Sequence, residues 1–387
     1  MSDFFKPTDP FKDVRPSTCV ENNLDDELMP MIISWRAVKR AAHDWQTFSS
    51  DAPFRVPIPS EERVRSVRQL PIEADPPLHT EIRAKLEPWF RRPKEKGYIE
   101  ALDQLIAAEI KRVLAAEVEL VRDFALPLQS RALTLLFNMT LEEADEWISW
   151  GTHVFRDGDD PAQKGNVLEA YIDRRLAYAY LHPQAHLQAK PRDDFFSALS
   201  KMTVEGRPLT KAEMAGVANL VFAGGRDTVI NAVTTLIVMF AHDRTVFERA
   251  ATDDRSVNLA IEELLRVISP LAHIGRICAA GATVGDCPVE EGRRVSVAWA
   301  GANFDPEVFD DPDQMILDRA PNPHMAFGSG PHACLGASQA RAILRLLLKR
   351  LCADTQLVEI LSAVSAEEQL GGFIHVNGFE RVNARLS

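Results

Sequence analysis

Two short stretches of this 387-residue chain carry residue types suited to redox and proton chemistry. The first is Phe327-Gly-Ser-Gly-Pro-His-Ala-Cys334-Leu-Gly336, followed by an amphipathic run from Ala337 to Leu351. Glycines around one cysteine let backbone approach the sulfur and point N–H groups at it, and the helix that follows presents its positive end nearby. Both effects favour thiolate over thiol. A backbone-cradled thiolate with no second metal ligand close in sequence suits a metal that arrives in its own macrocycle. The second stretch is Gly224-Gly225-Arg226-Asp227-Thr228, in the middle of an apolar run from Gly216 to Ala241. An acid and an alcohol at the centre of a buried helix are the parts of a proton relay. Two glycines inside a helix each cost up to ~1 kcal/mol relative to Ala. Either a close crossing of two helices or a flat ligand lying against the backbone accounts for them.

The elements that position these residues read mostly as helices. Thr210-Lys-Ala-Glu213 is a capping box, with Leu209 and Met214 as a hydrophobic staple, and it opens one helix running to about His242. That is roughly 50 Å at about 1.5 Å per residue, enough to cross a whole domain. Between Tyr98 and Ala116 the residues Leu102, Leu105, Ile106, Ile110 and Val113 form one helical face. A short helix is expected near Trp35 to Asp44 and another from about His79, in a first third that is otherwise irregular and Pro-rich up to Pro77. Helix continues to about residue 270, with turn signals at Asp157-Gly-Asp-Asp-Pro and Lys190-Pro-Arg-Asp-Asp. Residues 276–300 read as small hairpin strands, and a final strand pair is expected near 372–384.

Composition sets the frame. With 46% hydrophobic and 26% charged residues, the chain is expected to form one large domain, residues 1–387, since no linker divides it. The net charge of -12 argues against nucleic acid as a partner. A membrane is excluded as well, because Arg226 and Asp227 interrupt the longest apolar run. Five scattered cysteines without a C-x-x-C pair indicate neither a disulfide framework nor a zinc site. The N-terminal residues carry no export or organelle pattern, so a cytoplasmic location is expected.

The cysteine segment, Phe-Gly-x-Gly-x-His-x-Cys-x-Gly from Phe327 to Gly336, resembles the haem-binding signature of the cytochrome P-450 superfamily. Gly224-Gly225-Arg226-Asp227-Thr228 is similar to the family's oxygen-activation motif, and Glu263-Leu-Leu-Arg266 to its E-x-x-R. The resemblance implies a mainly α, triangular fold with a long central helix and small β-sheets. It implies haem b held by Cys334 as axial ligand, with Phe327, Gly328 and Gly336 shaping the loop and Gly224 and Gly225 passing over the haem. His79, Arg83, Arg276 and His332 match the residues that contact the haem propionates. Glu263 and Arg266, which alone read as a solvated i,i+3 pair, would join Arg319 in a buried network under the haem loop.

The activity implied is insertion of one atom of O2 into a small organic substrate, with Asp227 and Thr228 as catalytic proton donors. A peroxide-using or other non-monooxygenase haem-thiolate enzyme and a haem-based sensor are the alternatives, and the intact acid–alcohol pair speaks against both. With no reductase fused, electrons are expected from a ferredoxin and its NAD(P)H-dependent reductase. Arg91, Arg92, Lys94 and Arg345 are the expected docking residues. The default substrate is a compact apolar terpenoid or aromatic held by Val221, Leu271, Ala272 and Phe373. Arg55, Arg63, Arg65 and Arg68 offer the alternative of a carboxylate grip, and the role of His273 near the haem is open.

Overall fold

Helices form where apolar periodicity calls for them. The computed structural model describes residues 5–15, 17–151, 161–181, 193–285 and 287–387. The expected helix around Leu102 spans Lys96–Val113 and buries Tyr98, Leu102, Ile106, Ile110 and Val113. Helices Trp35–His43 and Leu78–Arg91 fall where expected. Thr210 caps its helix as read from the sequence: its hydroxyl accepts from the Glu213 N–H at 3.2 Å, and its own N–H donates to the Glu213 carboxylate at 2.8 Å. The turn signals at residues 157–160 and 190–192 lie outside the described residues.

The long central helix is not continuous. It consists of Lys211–Gly224 and Asp227–His242, parted at Gly225 and Arg226. The glycines weaken the helix here, and side chains stabilise the break: Gln129 Nε2 donates to the Gly225 carbonyl, while Arg226 donates to the carbonyls of Trp147, at 2.6 Å, and Gly151. The close crossing that glycine permits lies elsewhere. A Cβ on Gly216 would collide with the Arg68 carbonyl, so this position docks the helix on the loop that follows Ser66. In the most apolar 18-residue window of this region 72% is buried, as befits a core element.

Among the described residues, four small sheets complete the mainly helical architecture. The largest has the strand order Cys19–Leu24, Glu27–Ile32, Arg294–Ala298, His273–Cys278, Phe48–Ser49; Glu27–Ile32 and Arg294–Ala298 pair parallel, and the other pairs are antiparallel. Strands Val358–Leu370 and Phe373–Leu386 form a long hairpin, to which Glu117–Glu119 adds a third strand. The hairpin is longer than the pair expected near 372–384. The strands at 19–32 correct the expectation of an irregular N-terminal region.

A second correction concerns the cysteines. Cys19 and Cys287 form a disulfide across 268 residues, tying the first strand to the hairpin of Ala282–Val284 and Cys287–Val289. Cys278, Cys334 and Cys352 are free thiols.

Candidate active site

The cysteine loop is held from three sides. The Cys334 N–H donates to the Phe327 carbonyl at 2.8 Å, closing the loop. Gly328 and Gly330 take φ of 67° and 71°, and a Cβ on Gly330 would collide with the Ala42 carbonyl of helix Trp35–His43. The Met325 N–H donates to Asn303 Oδ1 at 2.6 Å, and Asn303 Nδ2 donates to Ser269 Oγ at 2.7 Å. A Cβ on Gly336 would stand 3.7 Å from the Cys334 sulfur, the side from which backbone N–H groups reach it. Burial pushes the Cys334 thiol up, against the opposing pull of the Gly336 and Ala337 N–H groups and of Arg83 and Arg341.

Beneath the loop lies the expected ion network. Arg266 donates to Glu263 through Nε and Nη2, both at 2.9 Å, and Arg319 Nε lies 3.1 Å from both carboxylate oxygens. The Ile316 N–H at 2.9 Å and Asn322 Nδ2 at 3.1 Å complete the shell of Glu263. Burial pushes this carboxyl up, but Arg266 and its other partners together hold it below its ordinary value. The remaining guanidinium donors reach carbonyls of Asn303, Asp310, Pro312 and Gln314, which fixes the segment leading into the loop. Sequence reasoning missed Glu262 next door. Its carboxylate accepts from Arg341 at 2.7 Å and lies 2.9 Å from His324 Nε2, and Arg341 in turn stacks over Phe327, 4.4 Å from the ring centroid.

His79, Arg83, Arg276 and His332 converge as expected. The rings of His79 and His332 are 4.1 Å apart, and buried atoms His79 Nδ1 and His332 Nε2 have no hydrogen-bond partner. Burial and the positive charge of Arg83 hold His79 down at about 4; burial and Arg276 hold His332 down at about 2. Burial also lowers Arg276 to about 10, opposed by Asp75. Four donors crowded together with too little negative charge form a cradle for carboxylates. The protoporphyrin IX haem fits these residues: its two propionates match the orphaned donors and its iron matches Cys334.

A cavity of about 980 Å³ adjoins Gly224, Asp227 and Thr228. Thr228 Oγ1 lies 3.5 Å from the Gly224 carbonyl, a weak back-bond that leaves the hydroxyl available to the cavity. Arg226 turns instead to the Trp147 and Gly151 carbonyls. Of the expected substrate contacts, Leu271 lines the cavity. Val221 and Ala272 are buried in the core, and Phe373 packs against Phe11 with ring centroids 4.9 Å apart.

The lining is more polar than expected. Glu61, Gln69, Asn231, His273, Glu368 and Asn377 all face the cavity, beside Val56, Ile58 and Ile274. None of the four arginines proposed for a carboxylate grip lines it. Arg65 is buried between Glu61 and Glu73, Arg55 pairs with Glu27, Arg68 pairs with Asp51, and Arg63 is exposed. His273 is held by Ser296 Oγ, 2.8 Å from Nδ1, and its Nε2 lies 3.5 Å from Glu368 on the cavity wall. The wall at residues 55–57 is anchored to the sheet: the Gly275 N–H donates to the Val56 carbonyl at 2.7 Å, and Arg294 donates to the carbonyls of Arg55 and Pro57.

A cysteine loop over a buried glutamate–arginine network, a carboxylate cradle and a glycine-broken helix beside a cavity together define a haem-thiolate protein. The Cytochrome P450 family pattern matches residues 163–353. The probable cytochrome P450 127A1 of Sinorhizobium fredii is 30% identical over 314 residues, 79% of this chain and 72% of the relative. A steroid C26-monooxygenase of Mycolicibacterium smegmatis is 27% identical over 321 residues, 82% and 78% of the two chains. Among solved structures, one described as a carbohydrate active P450 aligns with a TM-score of 0.92 and 42% identity, covering 99% of this chain and 98% of its own. The chain belongs to the cytochrome P450 family and is a haem-dependent monooxygenase.

Proposed function

We propose that this cytochrome P450 oxidises a polar, polyhydroxylated small molecule of the carbohydrate class, in place of the apolar terpenoid or aromatic that the sequence suggested. The observation that carries this reading is the cavity wall of carboxylates and amides around Thr228. A hydrocarbon would make no hydrogen bond to these carboxylates and amides. Hydroxyl groups, which donate and accept, would satisfy them. The 42% identity with a carbohydrate active P450 supports the same class.

In this proposal Cys334 would ligate the haem iron, and His79, Arg83, Arg276 and His332 would hold the propionates. The bound haem supplies the activation of dioxygen. The protein's own part is to hold the substrate against the helix break at Gly224 and to pass protons from Asp227 and the Thr228 hydroxyl. Electrons reach it from a ferredoxin, in a cytoplasmic setting.

The test is a titration of the purified holoenzyme, in which a ligand that displaces water from the iron shifts the haem absorption. Saccharides and their simple glycosides should give the shift, whereas terpenoids and alkylbenzenes of similar size should not. A response to the hydrocarbons alone would overturn the proposal.

A further inference from the structure

We infer, on the reading that the substrate is a saccharide, that Asn231 is a specificity-determining residue. Its carboxamide, which accepts through Oδ1 and donates through Nδ2, pairs with two adjacent hydroxyl groups of the sugar ring and sets that ring beside Thr228.

Asn231 lies in helix Asp227–His242, where its neighbours Val229, Ile230, Ala232 and Val233 are buried and apolar. Asn is a poor helix former, and an apolar core offers its amide no hydrogen bond. Gly224, Asp227, Thr228 and Asn231 follow one another at spacings of three, one and three, and all four line the cavity. Asn231 is only 7% exposed. Of the other amides on this wall, Gln69 Nε2 donates to Asn219 Oδ1 at 2.8 Å and Asn377 Nδ2 donates to Glu368 at 3.0 Å. The Asn231 side chain has no hydrogen-bond partner among the described residues. Thr234, one turn on, meets its need within the helix, its hydroxyl donating to the Ile230 carbonyl at 2.9 Å. A buried amide left without partners is unfavourable, so its place on the wall of a cavity calls for a ligand that both donates and accepts.

The opposing strand fixes this side chain. Strand Phe373–Leu386 passes it at Gly378, where a Cβ would stand 2.7 Å from Asn231 Cβ and Cγ and 2.9 Å from Oδ1. Only glycine lets backbone approach so closely. The amide is thereby held between strand and cavity, and little of its freedom remains to be lost when a ligand binds. One ring hydroxyl can donate to Oδ1 while its neighbour accepts from Nδ2, whereas an isolated ether oxygen satisfies only the donor and a hydrocarbon neither.

The experiment uses the holoenzyme with the methyl glycosides of glucose, galactose, mannose and xylose, and with the singly deoxygenated forms of each glycoside that binds, read by calorimetry and by haem absorption shift. Loss of either of two adjacent hydroxyls should weaken binding at least about tenfold. Asn231→Leu, of similar shape, should weaken the intact glycoside by a comparable factor and abolish the penalty for both deoxygenations, a coupling that lost packing alone would not produce. Asn231→Asp, which keeps only acceptors, should retain the penalty at one position and lose it at the other. The reduced, carbonyl-bound spectrum reports haem loading in both variants. The deoxygenation series on the unaltered enzyme decides the matter even where a variant fails to fold: no adjacent pair of sensitive hydroxyls would overturn the inference. Penalties that persist unchanged in Asn231→Leu would overturn it too, and either result leaves the substrate class standing. A panel in which no saccharide binds would remove the class and the inference with it.

Discussion

At Cys334 burial pushes the thiol up, while the Gly336 and Ala337 N–H groups, with Arg83 and Arg341, pull it down. The residues read from the sequence through the family motifs, Glu263, Arg266 and Arg319, meet in one network because each motif is local and its partners are guanidinium groups with fixed geometry. Glu262 was invisible, since a lone glutamate beside the motif carries no signal until Arg341 and His324 are seen to reach it. Burial pushes the Glu262 carboxyl up, but Arg341 and His324 together bring it from 4.5 to about 2. A depressed carboxyl stabilises the fold above its unfolded value and loses that contribution as pH falls from about 4.5 to about 2. Glu262→Gln should therefore lower stability at neutral pH by roughly 2–3 kcal/mol, with the gap to the parent closing across that acid window in urea titrations. It should also loosen haem retention, because Arg341 would lose its anchor over Phe327. At the other end of the site, Thr228→Ala should keep the substrate-induced absorption shift but release much of the consumed NAD(P)H as hydrogen peroxide, since the hydroxyl serves protonation more than binding. A fully coupled Thr228→Ala enzyme would refute the relay.

Among the elements, helices were legible and their interruption was not. Periodicity at Leu102, Ile106 and Ile110 locates a helix because one face is buried, and the Thr210 box marks a start because the cap is a local hydrogen-bond pattern. The break at Gly225 depends on Gln129 and on the carbonyls of Trp147 and Gly151, all at least 74 residues away in sequence, so no local pattern announces it. Gly216 shows the same limit from the other side. Its purpose is the Arg68 carbonyl, and the sequence offered only a glycine in an apolar run. The Cys19–Cys287 bond was missed because pairing over 268 residues leaves no spacing to read. Disulfides persist in oxidising surroundings, whereas a reducing cytoplasm would leave the strand and the small hairpin joined by packing alone.

For the molecule as a whole, the cavity was the least legible feature, because its wall is assembled from segments as far apart as Glu61, Asp227, His273 and Asn377. On a strand, Glu368 or Asn377 alone looks like an ordinary solvent-facing residue. Charge is the other property of the whole molecule, and at -12 it opposes an acidic ferredoxin unless a local basic surface overcomes it. The residues expected for that role are largely occupied: Arg91 pairs with Glu87 at 2.6 Å, Arg92 donates to the Leu136 carbonyl beside Trp89 and Tyr98, and Arg345 donates to Asn258 at 3.0 Å. Helix Trp35–His43 offers Arg36, Lys39 and Arg40, all exposed. It abuts the cysteine loop, with His43 Nε2 2.9 Å from Ser329 Oγ and the Ala42 carbonyl against Gly330. An electron carrier docked on this helix would stand beside the backbone that leads to the Cys334 sulfur. Arg36→Glu with Arg40→Glu should then slow ferredoxin-supported reduction about tenfold at low ionic strength and flatten its salt dependence. The carbonyl-bound spectrum after chemical reduction should be unchanged, and Arg91→Glu should have a smaller effect. A double variant reduced at the parental rate would remove this helix from the docking surface.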